Sequence, residues 1–479
     1  MATRLDEVHS HQFSLRRVVN ALVKHDPDPR GPQTPRLLTT TVISAIIAAL
    51  ISVGYLIFNV VTGQGTPDGL RDNSTVLIEK ETGAQYVYVK NDDRLHPVLN
   101  YTSGLLLTNG SGGQPTIVRR SRLADLRHDE NLQIGATLGI PGAPNALPRT
   151  SDLTRDPWTI CTQGADPTTL RSTLLVGSGT LTGGHTLTAP SPGATSEALL
   201  VQPLGQTATY LIFGNRKFLL AKPAVALAAF GWAGRQGQLV TAAWLNALPE
   251  GPDISAPPIT DLGARSHATN AAVGRLLRAP GPNGDQWALV RLNDVQPISE
   301  VQARLLQADP ATNLGQPVDI NTSDFAKLPL DTSTAAGAGQ LPVTVPILAS
   351  VTSSVCARIP DAAGVTAIVV DPKVAATNSG AAAPTATRAT APGATVADQV
   401  DVPFGHGVLV RAVPSPAAPA TSGTLSIVTD AGTRYAIADN DALAKLGYAD
   451  ATPLTMPSGL VSLVPAGPAL SAAAATQAG

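Results

Sequence analysis

One run interrupts the mixed pattern of apolar and polar positions. "LLTTTVISAIIAALISVGYLIFNVV", at residues 37–61, carries no charged side chain. As a helix it would reach about 37 Å, enough to cross a hydrocarbon layer about 30 Å thick with some tilt. It predicts a single transmembrane helix. The competing reading is a cleaved signal peptide, but the run is too long for an h-region and no small-x-small cleavage site follows. Ahead of it, "HQFSLRRVVNALVKHD" puts Phe13, Leu15, Val18, Val19 and Leu22 on one broad helical face, ended by Asp26-Pro27 and Asp28-Pro29. Such a helix has two readings. It docks on a cytosolic partner, or it lies on lipid headgroups with Arg16 and Arg17 near phosphate.

After the run the pattern changes to short alternating stretches separated by turns. "STVLIEKETGAQYVYV" from Ser74 reads as strand, turn at Thr82-Gly83, strand. "TLSIVTDAGTRYAIADNDALAKLG" from Thr424 has a similar plan, with Tyr435 three residues after Gly432 as Tyr86 follows Gly83. "ALLVQPLGQTATYLIFGNRKFLL" from Ala198 is a looser copy, and "DQWALVRLNDVQPISEVQARLLQ" from Asp285 a partial one. Each carries a polar turn ("KNDDR", "FGNRK", "LNDVQ", "ADNDA") before an apolar or helical run. A second echo joins "IPGAPNALP" at Ile140, "LPEGPDI" at Leu248 and "VPAGPAL" at Val464. Apolar runs follow both cysteines, "STLLV" after Cys161 and "VTAIVV" after Cys356.

The expected fold class is therefore α+β: a single transmembrane helix, then a β-rich extracytoplasmic domain with a central core and four small repeats. The expected order is a cytoplasmic segment 1–36, the span 37–61, repeat 1 at 62–127, the first half of the core at 128–195, repeat 2 at 196–262, repeat 3 at 263–318, the second half of the core at 319–375, a disordered linker 376–403, repeat 4 at 404–464 and a disordered tail 465–479.

Charge fixes the orientation. Arg16, Arg17, Lys24, Arg30 and Arg36 precede the span, and only Arg71 follows closely, so the N-terminus is expected in the cytoplasm. The rest of the chain then lies outside, where Cys161 and Cys356 can pair as a disulfide tying the two halves of the core. The formal net charge of -2 gives no basic field for nucleic acid. With Gly (43) and Pro (40) abundant and only 4% aromatics, the composition suits small, turn-rich units joined by Ala/Pro/Thr linkers.

Catalytic signals are sparse. There is no G-x-x-x-x-G-K-[ST] loop, no H-E-x-x-H pair and no G-x-S-x-G elbow. Two cysteines cannot build a four-thiolate zinc site. "LLVGSGTLTGGHTL" at Leu174 has glycines after a strand-like run, but "TLTAPSPGAT" follows where a dinucleotide fold needs a helix. His96 has no histidine at the matching place in the other copies and reads as a packed or surface residue. No catalytic, metal or cofactor residue is assigned, and no cofactor is expected.

The carrying residues "RLDEVHSHQFSLRRVVNALV", "LIEKETGAQYVYV", "RLHPVLNYTSGLLL", "GIPGAPNALP", "DPWTIC" and "AAWLNALPEGPDI" resemble the EccB family, a membrane core component of the actinobacterial type VII (ESX) secretion system. The resemblance covers nearly the whole chain. It implies a plasma-membrane, single-pass protein whose outer domain has a core, four repeats and one disulfide, with Cys161 and Cys356 at the bridge positions. It also implies partners: a motor ATPase (EccC), a multi-span conduit protein (EccD), a further membrane protein (EccE) and other copies of itself. The repeats are similar to cell-wall-binding modules of phage lysins, which makes peptidoglycan a further expected contact. The expected role is structural, in protein export. A wall anchor and an extracytoplasmic nucleotide hydrolase are the alternatives.

Overall fold

A computed structural model describes residues 4–24, 34–61 and, from 71 to 477, all but 111, 122, 124–131, 165, 178, 191–195, 282–283, 332–340, 376–394 and 420. The chain forms two units, Met1–Asp72 and Asn73–Gly479. The first contains helices Arg4–Lys24 and Thr34–Val61. The expected span falls on the second helix, whose side chains are described from 40 to 55. Among the described residues, no helix is long and apolar enough to cross a membrane.

The second unit is α+β and contains one supersecondary plan four times. Two successive hairpins give three antiparallel strands. A short helix follows, then a strand returns parallel to the first, and a closing segment runs parallel to the third. In repeat 1 the strands are Leu77–Glu79, Gln85–Val89 and Arg94–Pro97, the helix is Tyr101–Leu107 and the return strand is Thr116–Val118. Repeat 2 uses Glu197–Pro203, Tyr210–Phe213, Arg216–Leu219, helix Pro223–Ala229 and Gln238–Val240. Repeat 3 uses Leu276–Ala279, Gln286–Val290, Val295–Ile298, helix Glu300–Ala308 and Val318–Asp319. Repeat 4 uses Gly407–Val413, Thr424–Thr429, Arg434–Ala436, helix Asn440–Lys445 and Leu454–Pro457.

The helix starts follow local chemistry. Asn100, Ser299 and Asp439 each accept a backbone N–H of the first turn, and Lys222 is followed by Pro223.

This plan corrects the sequence alignment by one hairpin. Gly83 turns the first strand of repeat 1 into the second, whereas Gly432 lies between the second and third strands of repeat 4. The true counterpart of "KNDDR" is "DAGTR" at 430–434, and "ADNDA" is a helix N-terminus. In repeats 1, 2 and 4 both turns hold left-handed residues, so a turn glycine marks a hairpin without saying which one.

The closing segments also align differently. "LQIGATL" at 132–138, "LPEGPDI" at 248–254 and "VPAGPAL" at 464–470 are the matching trio, and "IPGAPNALP" lies just beyond the first of them. In each, a glycine N–H donates to the third strand: Gly135 to Leu95 O (3.0 Å), Gly251 to Lys217 O (2.9 Å) and Gly467 to Arg434 O (2.8 Å). A ring of the third strand fills the space a Cβ at that glycine would take: His96, Phe218 and Tyr435 respectively. In repeat 3 the segment is "LPLD", Asp331 N makes the same bond to Val295 O (2.9 Å), and Gln296 stands where the others have a ring. A Cβ at Gly467 would collide with the Tyr435 ring. Gly467→Ala is therefore expected to lower stability by about 1–3 kcal/mol. Asp331→Ala, at the place that already holds a side chain, removes instead the carboxylate that pairs with Arg291. Urea unfolding of the two variants checks this; a smaller m-value-corrected loss at 467 than at 331 contradicts it.

The repeats flank a central sheet ordered Gln399–Asp401, Arg171–Leu175, Trp158–Gln163, Ser354–Ile359, Ala367–Val370, His185–Thr186. Its middle is two antiparallel hairpins joined edge to edge, with Cys161 directly opposite Cys356. The chain thus runs repeat–hairpin–repeat twice, and an approximate two-fold passes between the cysteines. One face of this sheet (Trp158, Ile160, Val355, Ala357, Ile359) shares a core with Leu199, Val201 and Trp244 of repeat 2 and with Val408, Val410 and Met456 of repeat 4. Repeat 1 packs on repeat 4 through Val76, Val87 and Leu106 against Leu409, Ile427 and Tyr448. Repeat 2 packs on repeat 3 through Leu211, Phe218 and Phe230 against Val301 and Leu305.

Several expected boundaries shift. Residues 132–138 belong to repeat 1 and 318–331 to repeat 3. Of the expected linker, 376–394 lies outside the described residues, while the rest forms a core strand with Ala397, Asp401 and Val402 buried. The expected tail is packed instead. Arg434 bridges to Ala466 and Ile437 to Leu470, and a last helix, Ala472–Ala475, is capped by Ser471.

Candidate interaction surfaces

The helix Arg4–Lys24 presents Val8, Leu15, Val18, Val19 and Leu22 to solvent, and every one is more than half exposed. Their spacing places them on one side, whereas Phe13, which the sequence reading groups with Leu15, Val18, Val19 and Leu22, falls on the opposite side of the helix. Arg17 stacks over Phe13 at 6.0 Å. In Thr34–Val61 the side chains Val42, Ile43, Ile46, Ile47, Leu50, Ile51, Val53 and Tyr55 are exposed and cover a broad arc of the helix.

The polar cluster of repeat 1 is structural. His96 is buried beside Gly135; Nδ1 lies 2.7 Å from the Ala136 carbonyl and Nε2 2.8 Å from Asp92 Oδ2. It fills the place that Phe218 and Tyr435 fill in other repeats, so its ring packs and its nitrogens fasten the hairpin tip to the closing segment. Glu79 accepts from Thr82 and Arg120, again within the repeat. Lys90, Asn91, Asp92 and Asp93 form a solvated tip. Among the described residues, no group of three or more His, Cys, Asp or Glu side chains is placed to hold a metal ion.

Cys161 and Cys356 are bonded and fully buried. Around them, two arms cross between the halves. His185–Thr186, which follows the first hairpin, caps the outer strand of the second; Gln399–Asp401, which follows the second, caps the outer strand of the first. Thr180–Thr182 and Lys373–Ala375 pair with each other. Sequence reasoning missed these arms because each is short and lies between Gly- and Pro-rich stretches.

Glu197 fastens the first arm. It accepts from Thr188 N (2.9 Å), Thr188 Oγ1 (2.9 Å) and His185 Nε2 (2.6 Å). The Thr188 N–H, then His185, hold its carboxyl below the ordinary value of 4.5. A depressed carboxylate contributes stability above its unfolded pKa and loses it as pH falls through the folded value. The melting temperature is therefore expected to fall on acidification below 4.5 and to fall less steeply in Glu197→Gln, which should melt lower at neutral pH. Parallel acid melts of parent and variant would refute the assignment.

Other exposed apolar side chains of the second unit are Leu99, Ile117 and Ile134 on repeat 1, Leu204 on repeat 2, Leu262 on the turn between repeats 2 and 3, Val343 ahead of the strand Ile347–Leu348 that pairs with repeat 2, Ile347 on that strand, and Phe404 (85% exposed) on the turn entering repeat 4.

Comparison with known proteins bears on these surfaces. The profile of the EccB family, described as type VII secretion system ESX-1, transport TM domain B, matches residues 1–479. The chain is 30% identical to the ESX-3 secretion system ATPase EccB3 of Mycolicibacterium smegmatis, over 97% of this chain and 88% of that one. It is 27% identical to the ESX-5 secretion system ATPase EccB5 of Mycobacterium tuberculosis H37Rv, over 98% and 92%. A chain of the intact ESX-5 inner membrane complex superposes with a TM-score of 0.66 at 25% identity, covering 100% of this chain and 96% of that one. The EccB3 dimer of the ESX-3 core complex superposes at 0.61 with 28% identity, covering 85% and 100%.

Proposed function

The chain belongs to the EccB family of type VII secretion systems, and from that premise we propose how its parts serve the machine. It is a structural component of the membrane complex that exports proteins across the envelope. Residues 37–61 cross the plasma membrane once, with 1–36 in the cytoplasm and the four-repeat domain outside. The uncharged run and the basic residues ahead of it support this topology. The outer domain meets other copies of itself, and the membrane segments meet an EccC-type ATPase, EccD and EccE. The observation that carries the structural reading is the use of polar side chains: His96, Glu79 and Glu197 fasten strands to one another. The relatives' names include an ATPase activity. This sequence has no phosphate loop of the G-x-x-x-x-G-K-[ST] type, and no hydrolytic role is assigned to it here.

The test is the native size and composition of a tagged full-length copy, extracted from its own membrane in mild detergent. A very large complex holding an ATPase and a multi-span protein is expected, and deletion should stop substrate export. Unchanged export after deletion overturns the reading.

A further inference from the structure

We propose that the outer domain is a complex of two half-chains, residues 73–260 and 261–477, each of which is the other's specific binding partner. Each half is one repeat–hairpin–repeat, and neither closes its own structure. Half one ends its part of the central sheet at Trp158–Gln163, half two at Ser354–Ile359, and these strands pair along their full length. Trp158, Ile160, Cys161, Cys356, Ala357 and Ile359, which lie on these paired strands, are all fully buried. A separated half would expose a long, flat, apolar edge strand, the arrangement that drives pairing with another chain.

The exchange extends beyond the middle strands. Each arm is donated to the opposite half, where it completes an outer edge. Ser172 N and Oγ both donate to Asp398 Oδ2 across the halves (2.7 Å each). Each outer repeat packs on a repeat of the other half: repeat 1 on repeat 4, repeat 3 on repeat 2. Tyr448 OH donates to Pro148 O (2.6 Å), Lys222 Nζ pairs with Asp309 (2.7 Å) and Asn215 Nδ2 donates to Thr366 O (3.0 Å). Against this, the polypeptide link between the halves is slight. Residues 260–265 are all exposed, turning through Asp261 (φ 57°) and Gly263 (φ 82°). The link adds proximity, while recognition resides in the sheet register, the arms and the repeat pairs.

The test inserts a protease site between Thr260 and Asp261 of the full-length protein. After cleavage and treatment with a thiol reductant, the fragments are run on gel filtration in detergent. Both are expected to elute together at the position of the uncut protein, with unchanged near-UV circular dichroism, down to about 1 μM protein. Separate elution, or precipitation of either fragment, overturns the proposal. Incomplete reduction is controlled with Cys161→Ala/Cys356→Ala carrying the same site; where that chain does not fold uncut, cleavage in denaturant-free reductant, scored by free-thiol labelling, decides alone. Either half expressed by itself should be insoluble or aggregated. A half that is folded, monomeric and soluble alone also overturns it.

Discussion

Cys161→Ala/Cys356→Ala lowers the unfolding free energy of the outer domain by about 5 kcal/mol in the chain-entropy description of a cross-link. The bond joins positions 195 residues apart. The unfolded chain therefore loses most of its freedom to separate the two hairpins. The native sheet already holds those strands in register, so the bond adds little to the folded state. Both sulfurs are fully buried, opposite Thr173 and Val369 on the neighbouring strands, and alanine leaves only small voids. Since a domain is stable by roughly 5–15 kcal/mol, the loss takes a large share of the total. Urea titration of the oxidised parent and the double variant measures it. A difference below about 1 kcal/mol would place the bond's value elsewhere than in the unfolded chain. The variant should also migrate more slowly than the oxidised parent on a denaturing gel run without reductant, and identically to it with reductant.

Trp244→Ala is expected to cost about 3–5 kcal/mol, the range for removing a buried tryptophan without refilling its volume. Trp244 sits on the short helix Ala242–Asn246, which Thr241 caps through a hydrogen bond to Trp244 N (3.3 Å). Its ring is fully buried in the core shared by repeat 2, the central sheet and repeat 4. The helix is also held to the sheet by Thr241 N donating to Thr162 Oγ1 (3.1 Å). Loss of the ring therefore loosens a repeat from the sheet, beyond leaving a void inside one. Proteolysis should cut the variant first around repeat 2. A variant that unfolds as one cooperative unit with less than about 1 kcal/mol lost would show that this junction carries little of the stability.

The existence of four β-rich units was legible because hairpin strands alternate and turns use glycine and Asx residues. Their alignment was not. "KETGA" and "DAGTR" both supply left-handed residues, yet one closes the first hairpin and the other the second. Pairing partners, which no local pattern encodes, separate the two cases. The closing segments were found in repeats 2 and 4, where Pro and Gly make them conspicuous. They were missed in "LQIGATL" and "LPLD", where only the backbone pairing is retained. His96 was legible as a packed residue, but its equivalence to Phe218 and Tyr435 emerges only from Gly135, far along the chain. The tail misled for a compositional reason. "SAAAATQ" is low in complexity, but alanine is the best helix former, and Ser471 supplies the cap while Leu470 anchors the turn.

The two ends of the outer domain meet. Asn109 N donates to Asn73 O (2.8 Å) where the chain enters, and Gly139 N donates to Gln477 O (3.2 Å) where it leaves, both on repeat 1. Repeat 3, by contrast, packs on repeat 2. A reporter fused after Gln477 would sit beside repeat 1, whereas one placed in the exposed 260–265 turn would sit at the junction of repeats 2 and 3.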